Sequence, residues 1–324
     1  MKRKLSRIIT AVLCAARVCT LPAFAAEVQP SSFQSEASST RPYPMAPVRV
    51  WGRVTKLEDG GLLVQNSNEN DPYHEIILHG ESIPILDAVT GLPLDRDLRD
   101  GEVIYAWVGP AMTMSLPPQA TARIIVANIP QDAGAPQYYQ VAKVRAQGDG
   151  PERVELVATD GTELTVTQDA VLFPYLTRQM VYLSSIVPGS RILVWTGNGG
   201  DVTRVMLFAY DYRGYAAWEP TGEVSVNGQT LLVAGKVTEE DILLPIRAVA
   251  EAAGYRVDWT AEEGAMVFHG DGTPVFSILP GQATAHTPTG ERELTGQCLN
   301  DRGTTYLPAA DLMELLELFA VYEG

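Results

Sequence analysis

Two stretches of this 324-residue chain, residues 48–130 and 138–210, carry the same succession of strand-like segments. In each stretch, short runs of alternating apolar and polar residues are separated by Gly, Asp and Asn, a pattern typical of strands joined by turns. The clearest match sets residues 100–109 beside 188–197, and both segments end in Trp-x-Gly. The other matches pair residues 50–54 with 139–144, 61–65 with 153–158, 75–86 with 163–173, and 122–126 with 203–207.

This repeat predicts two small domains of one fold, because a duplicated order of segments is the signature of a duplicated unit. Five short strands around a small core are typical of a small barrel of the OB type. We therefore predict a mainly β protein in which two OB-like barrels follow each other along the chain.

The N-terminus has the three parts of a secretory signal peptide. Four basic residues at positions 2–7 precede an apolar run, and Ala23-Phe24-Ala25 supplies a small-residue cleavage site. We predict a signal peptide in residues 1–25, cleavage near Ala25, and a secreted or envelope-associated protein. No later apolar run approaches the ~20 residues of a spanning helix. Residues 26–47 are rich in Ser, Pro and Gln and are predicted to form a flexible spacer.

The net charge of the chain argues against two classes of binding partner. Removal of residues 1–25 leaves 19 basic and 39 acidic residues, a net charge of −20. Such a chain repels nucleic acid and anionic lipid headgroups, so neither is an expected partner. Cys298 is the one cysteine left after cleavage, and a single cysteine forms no internal disulfide.

The C-terminal domain, residues 219–324, has a pattern in which strands are interrupted by helical segments. Pro245 stands where a helix begins, since its missing N–H would be unpaired there in any case. Gly254 ends that helix because Gly adopts the left-handed cap without strain. The alternation that follows, up to Trp259, predicts a half-buried return strand and an α+β domain. Arg247 lacks an evident reason to face solvent, and we predict that it binds a carboxylate or carbonyl of this domain.

The first half of this domain resembles the copper amine oxidase N-terminal-like (stalk) domain. The resemblance is carried by V-x-V-N-G-Q at residues 224–229 and L-L-P-I-R-A-V-A-E-A-A-G-Y-x-V-x-W at residues 243–259. It implies an accessory or surface-attached module of exported Gram-positive bacterial proteins, with no copper and no oxidase activity. The residues before 219 carry no such resemblance.

The second half of the domain fits the same repeat less closely. G-Q-A at residues 281–283 and R-G-T-T-Y-L-P at residues 302–308 match, which makes Pro308 the counterpart of Pro245. Ala309 and Ala310 replace the usual apolar–Arg pair, and no second Gly-x-x-Val-x-Trp follows. The structural motif residues are Pro245, Arg247, Gly254, Trp259 and Pro308.

Aromatic residues between the second barrel and the C-terminal domain are the best candidates for a binding surface, because sugars and peptides stack on exposed rings. They are Tyr210, Tyr212, Tyr215 and Trp218. The favoured alternative is that these rings pack the junction between the two domains.

No motif predicts catalysis or a metal site. His74 and His79 are five residues apart on a predicted strand, whereas the zinc motif needs two histidines four apart on a helix. Asn66, Asn68 and Asn70 begin like a calcium loop, but the Gly and Glu that the loop requires are missing. We predict no cofactor and no metal.

These features predict a secreted, non-catalytic binding or structural module at the bacterial cell envelope that contacts cell-wall polymer or another exported protein. Two alternatives stay open. One is a wall-polymer hydrolase, which needs two carboxylates ~5–9.5 Å apart in a groove. The other is a surface adhesin tuned by calcium through its acidic loops.

Overall fold

The computed structural model describes residues 45–80, 82–130, 134–146, 152–239 and 242–322, so the predicted signal peptide and most of the predicted spacer lie outside it.

The first barrel closes through five of its six strands. The strands are β1 (Val48–Lys56), β2 (Leu62–Gln65), β3 (Glu75–His79), β4 (Ile85–Asp87), β5 (Val103–Met112) and β6 (Gln119–Ala127). Their order is β3-β2-β1-β5-β6-β4, and a parallel ladder between β3 and β6 closes the ring. Alternate residues such as Val50, Val54, Ile76 and Leu78 point inward and are buried.

The second barrel repeats this topology. Its strands are β7 (Gln137–Ala146), β8 (Arg153–Ala158), β9 (Glu163–Thr167), β10 (Val171–Pro174), β11 (Arg191–Thr196) and β12 (Val202–Leu207), with a 3-10 helix at Leu183–Ser185. Their order, β9-β8-β7-β11-β12-β10, is that of the first barrel. Within the described residues no ladder joins β9 to β12, because β12 begins after a short turn and lacks a counterpart of Gln119–Thr121, which pair with β3. The predicted mainly β fold with an OB-like barrel is confirmed.

Both barrels carry a β-bulge at the same place. Trp107 of β5 opposes Ile124, Trp195 of β11 opposes Arg204, and in each pair of strands the register shifts directly after the tryptophan. A bulge adds one residue to one strand. Because Ile124 and Arg204 both oppose the tryptophan, residue 124 corresponds to residue 204, and the match that set residues 122–126 beside 203–207 is displaced by one residue.

The C-terminal domain consists of three small sheets and two helices. It contains β13 (Gly214–Trp218), β14 (Val224–Val226), β15 (Gln229–Thr230), β16 (Lys236–Val237), β17 (Ile242–Pro245), α1 (Ile246–Ala252), β18 (Arg256–Thr260), β19 (Gly264–Phe268), β20 (Pro274–Ile278), β21 (Thr284–Thr287), β22 (Gly290–Glu293), β23 (Leu299–Asp301), β24 (Thr304–Pro308), α2 (Ala309–Leu315) and β25 (Leu318–Tyr322). The strand orders are β15-β14-β13-β25, β16-β17-β24-β23 and β18-β19-β20-β21-β22. β13 lies ahead of residue 219, where the sequence places the start of this domain.

A strand–proline–helix unit occurs twice in this domain. Pro245 and Pro308 each stand at the N-cap of a seven-residue helix, and the strands that precede them pair antiparallel through Leu244 and Leu307. Each helix ends at a left-handed residue, Gly254 (φ 88°) after α1 and Glu317 (φ 53°) after α2. The second half therefore has its return strand, β25, although its sequence lacks the Gly-x-x-Val-x-Trp motif.

One continuous core joins the two halves of the C-terminal domain. It takes apolar residues from both helices and all three sheets, among them Trp218, Leu244, Val249, Phe276, Leu307 and Leu312. In the described part of the chain, no helix has the length and apolar character needed to cross a membrane.

Candidate functional site

The two barrels pack against each other through equivalent outer faces. A buried cluster combines residues of β4, β5 and β6 with residues of β10, β11 and β12, among them Leu86, Trp107, Val126, Phe173, Leu193 and Met206. The indole N–H of Trp195 donates to the carbonyl of Ala88 at 2.7 Å. The guanidinium of Arg204 lies 4.5 Å from the Trp195 ring and donates to the carbonyls of Val89 (2.6 Å) and Thr90 (2.8 Å). These contacts fix the placement of one barrel against the other.

A cleft of about 320 Å³ opens beside this interface, which we call the inter-barrel cleft. The first barrel contributes one wall, and the second contributes the start of β7 and the turn between β8 and β9. Its lining residues are Pro47, Arg49, Trp107, Gln137, Tyr138, Tyr139, Gln140, Ala158, Thr159, Asp160 and Thr162. Buried rings of Trp107 and Tyr138 combine with amide, hydroxyl and charged groups, as in a small-molecule site.

Charges of opposite sign line the two sides of the cleft. Arg49, on the first barrel, donates to Oε1 of Gln137 at 3.0 Å and lies 5.6 Å from the Tyr105 ring. Asp160, on the second barrel, accepts from the backbone N–H of Thr162 at 2.9 Å. Burial, reinforced by the carboxylate of Asp160 and opposed by Arg49, raises the pKa of Tyr139. Tyr139 therefore remains a neutral hydroxyl between the two charges at neutral pH.

Gln140 brings a buried amide into the cleft. The residue is 4 % exposed, and its Nε2 donates to the hydroxyl of Tyr212 at 3.3 Å. Its amide oxygen accepts no hydrogen bond from the described residues, but it is not fully enclosed, since the one buried side-chain atom without a partner in the described part of the chain is Nε of Arg191. The oxygen can therefore accept a hydrogen bond from a ligand or from water.

An aromatic strip leads away from the cleft along the first barrel. Trp51 and Tyr105 stand opposite each other on β1 and β5, with stacked rings whose centroids are 6.4 Å apart. Arg49 joins this strip to the cleft through its contact with Tyr105. The strip therefore continues the aromatic surface beyond the cleft.

The four aromatic residues predicted as a binding surface lie at the junction between the second barrel and the C-terminal domain. Trp218 is 2 % exposed and belongs to the core of the C-terminal domain. The ring of Tyr212 packs edge-on against Phe319 (5.1 Å), and Tyr215 packs on the same small cluster. Tyr210 is 36 % exposed, but its hydroxyl donates to the carbonyl of Pro188 at 2.6 Å. The favoured alternative, in which these rings pack the junction, agrees with this placement.

Arg247 makes the contact that the sequence predicts. Its guanidinium donates to the carbonyl of Val257 on β18 at 2.5 Å and pairs with Glu251 at 3.0 Å. Among the other motif residues, Pro245 and Pro308 are buried, whereas Trp259 is 51 % exposed. Pro245 and Pro308 each join a strand to the helix that follows it, and Arg247 connects α1 to β18.

The polar loops singled out in the sequence are held by hydrogen bonds to their own backbone. Asn66 accepts from the N–H of Asn68 at 2.8 Å, and Asn68 accepts from that of Asn70 at 3.2 Å. Asp100 belongs to an acidic turn before β5, and it accepts instead from the backbone N–H of Lys56 on β1. Across the described residues, no group of three or more His, Cys, Asp or Glu side chains is placed to hold a metal ion. Burial raises the pKa of the Cys298 thiol to about 11, which keeps it protonated at neutral pH.

The residues of the inter-barrel cleft were not singled out by the sequence analysis. One signal was present: Gln140 interrupts the apolar run of β7, and a polar residue in such a run is a buried group in need of a partner. The others, such as Arg49 and Asp160, lie at strand ends and turns, where a charged residue usually faces water.

Comparison with known proteins identifies the family that the C-terminal domain resembles. No curated protein matches the chain. Residues 225–323 match the family model described as Copper amine oxidase N-terminal domain, a non-catalytic stalk-like domain, which confirms the resemblance found in the sequence and makes the C-terminal third of this protein similar to that family.

Proposed function

We propose that this protein is an exported, non-catalytic binding module of the bacterial cell envelope that holds cell-wall polymer in the inter-barrel cleft. The observation that carries this proposal is the cleft itself, where aromatic rings, amides and two opposite charges converge between two barrels that pack against each other. A concave site of this size suits one repeating unit of a polymer, whereas a protein partner needs a broad surface of roughly 800 Å² on each side.

Two further features support this function. The first 25 residues have the pattern of a secretory signal, which would bring the protein to the wall. The C-terminal domain is similar to a stalk-like domain, and such a domain can hold the barrels away from a surface.

The hydrolase alternative has less support in this cleft. Glycoside hydrolysis needs two carboxylates on opposite sides of the scissile bond. Among the described residues that line the cleft, Asp160 is the one carboxylate. We therefore expect that the protein binds wall polymer without cleaving it.

A retention experiment on purified wall sacculi tests the proposed function. The chain without residues 1–25 should sediment with sacculi, and Tyr139→Ala should weaken this retention because it removes a ring that lines the cleft. Leu172→Ala is the matched control, since Leu172, like Tyr139, is partly buried against the core of the second barrel but lies outside the cleft. The turbidity of the sacculi should stay constant during the incubation.

Three results would contradict the proposal. They are retention no greater than that of an acidic control protein, equal retention of Tyr139→Ala and wild type, and a fall in turbidity that indicates cleavage. Loss of retention after protease treatment of the sacculi would identify an exported protein as the partner instead.

A further inference from the structure

We infer that the inter-barrel cleft takes the peptide portion of its polymer, as a short segment with a carboxylate facing Arg49 and an ammonium group facing Asp160. This inference rests on the proposed function and names the ligand chemistry of the same site. It follows from three side chains that line the cleft: Arg49, Asp160 and Gln140.

Arg49 is held in position to receive an anion. Its hydrogen bond to Gln137 and its contact with the Tyr105 ring fix the guanidinium at the edge of the cleft. Gln137 is itself fixed, because its Nε2 donates to the carbonyl of Ala135 at 3.0 Å. An arginine has five N–H donors, so the remaining ones are available for a carboxylate.

Asp160 is held in position to receive a cation. One of its oxygens is bound to the N–H of Thr162 in the turn between β8 and β9, and its second oxygen has no donor among the described residues. Neither Asp160 nor Arg49 has an ion-pair partner in the part of the chain that the structure describes. Two opposite charges that face one cleft without neutralising each other fit a ligand that carries both.

Gln140 adds an acceptor that a peptide can use, while the two charges distinguish a peptide from a neutral sugar. Its amide oxygen takes no hydrogen bond from the described residues, so it can accept one from the N–H of a peptide bond or an amine. The volume of about 320 Å³ lies at the low end of ligand pockets and suits a short peptide segment. A glycan chain without charge would leave Arg49 and Asp160 facing water.

Binding of fragments from one preparation of sacculi tests this inference. An amidase separates the wall into free peptides, which carry ammonium and carboxylate groups, and denuded glycan strands. The wild-type chain should bind the free peptides in calorimetry and should bind them about tenfold more weakly once their amines are acetylated. Arg49→Gln and Asp160→Asn should each weaken peptide binding about tenfold.

Arg145→Gln and Asp169→Asn are the matched controls, because both residues are exposed residues of the second barrel outside the cleft. Unchanged circular dichroism and melting temperature establish that every variant is folded. Binding of the glycan strands in place of the peptides, or peptide binding unchanged in both Arg49→Gln and Asp160→Asn, would overturn the inference while retention on intact sacculi upholds the proposed function. Absence of retention on intact sacculi would remove both.

Discussion

Arg247 anchors the start of α1 to the strand that returns from it. Its hydrogen bond to the Val257 carbonyl occupies an acceptor on the edge strand β18, and its pair with Glu251 lies at the surface. We predict that Arg247→Ala lowers the free energy of unfolding by about 1–2 kcal/mol, since a charged donor to a carbonyl contributes more than an exposed pair. Glu251→Ala should cost about 0.3–0.5 kcal/mol. Urea unfolding measures both, and equal losses in the two variants would show that the carbonyl contact contributes nothing.

Glu102 makes the stability of the first barrel sensitive to acid. Its carboxylate accepts two hydrogen bonds from Arg96 (2.6 and 2.9 Å) and one from the N–H of Arg99 (3.1 Å). The hydrogen bonds from Arg96, which outweigh the opposing effect of burial, lower the pKa of Glu102 from 4.5 to about 2. The unfolded chain therefore binds a proton first, so this stabilisation is complete above pH 4.5 and is lost as the pH falls towards 2.

We predict that Glu102→Gln is less stable than wild type at pH 7 by about 2–3 kcal/mol and that this difference shrinks as the pH falls. Unfolding curves recorded between pH 7 and pH 2 check the prediction. Glu163→Gln, at an exposed position on β9, is the control and should run parallel to wild type. A constant gap between Glu102→Gln and wild type across this range would contradict the assigned cause.

At the level of elements, the two strand–proline–helix units end on different residue types, Gly254 and Glu317, although both residues adopt the left-handed backbone conformation. Gly254 adopts the left-handed conformation without strain, whereas Glu317 adopts it at a cost of about 1 kcal/mol. Glu317 is held there by its ion pair with Arg213 (2.7 Å) and by the backbone bond from Arg213 N–H to its carbonyl (2.9 Å). Tertiary contacts thus replace the glycine that the sequence motif requires.

We predict that Glu317→Gly, made in an Arg213→Ala background that already lacks the ion pair, raises the free energy of unfolding by about 1 kcal/mol. Gly254→Ala should lower it by a similar amount, because a Cβ there meets nothing within 4 Å and the cost is conformational alone. Thermal and urea unfolding measure both effects. A neutral result for Glu317→Gly in that background would mean that the left-handed residue is not strained.

The sequence predicts strands well wherever one face of the strand meets a core. It does not predict which residues cover the opposite face when that face packs against another domain. The Trp-x-Gly repeat located Trp107 and Trp195, but alternation cannot tell what an outward ring packs against. The runs I-Y-A-W-V at residues 104–108 and I-L-V-W at residues 192–195 lack alternation, which is the pattern of strands buried on both faces. The inter-barrel cleft depends on how two barrels pack, and no local pattern encodes that.

At the scale of the whole molecule, a glycine of one barrel makes room for a tryptophan of the other. Gly91 has φ 73°, and a Cβ at this position would lie 2.8 Å from the Trp195 ring. Trp195 also holds the same turn through its bond to the Ala88 carbonyl. Because this contact crosses from the first barrel to the second, substitutions at Gly91 and Trp195 should not be independent.

We predict that Gly91→Ala lowers the free energy of unfolding by about 2–3 kcal/mol in wild type, since backbone strain adds to the clash with the ring. In a Trp195→Ala background the clash is gone, so Gly91→Ala should cost only the strain, about 1 kcal/mol. Gly101→Ala is the matched control, because Gly101 has φ 82° and nothing within 4 Å of its Cβ, so its cost should be the same in both backgrounds. A double-mutant cycle measured by urea unfolding gives the coupling directly, and additive losses at Gly91 and Trp195 would mean that the barrels do not constrain each other at this turn. Since the inter-barrel cleft is formed by that same packing, the coupling also measures how firmly its two walls are held for a ligand.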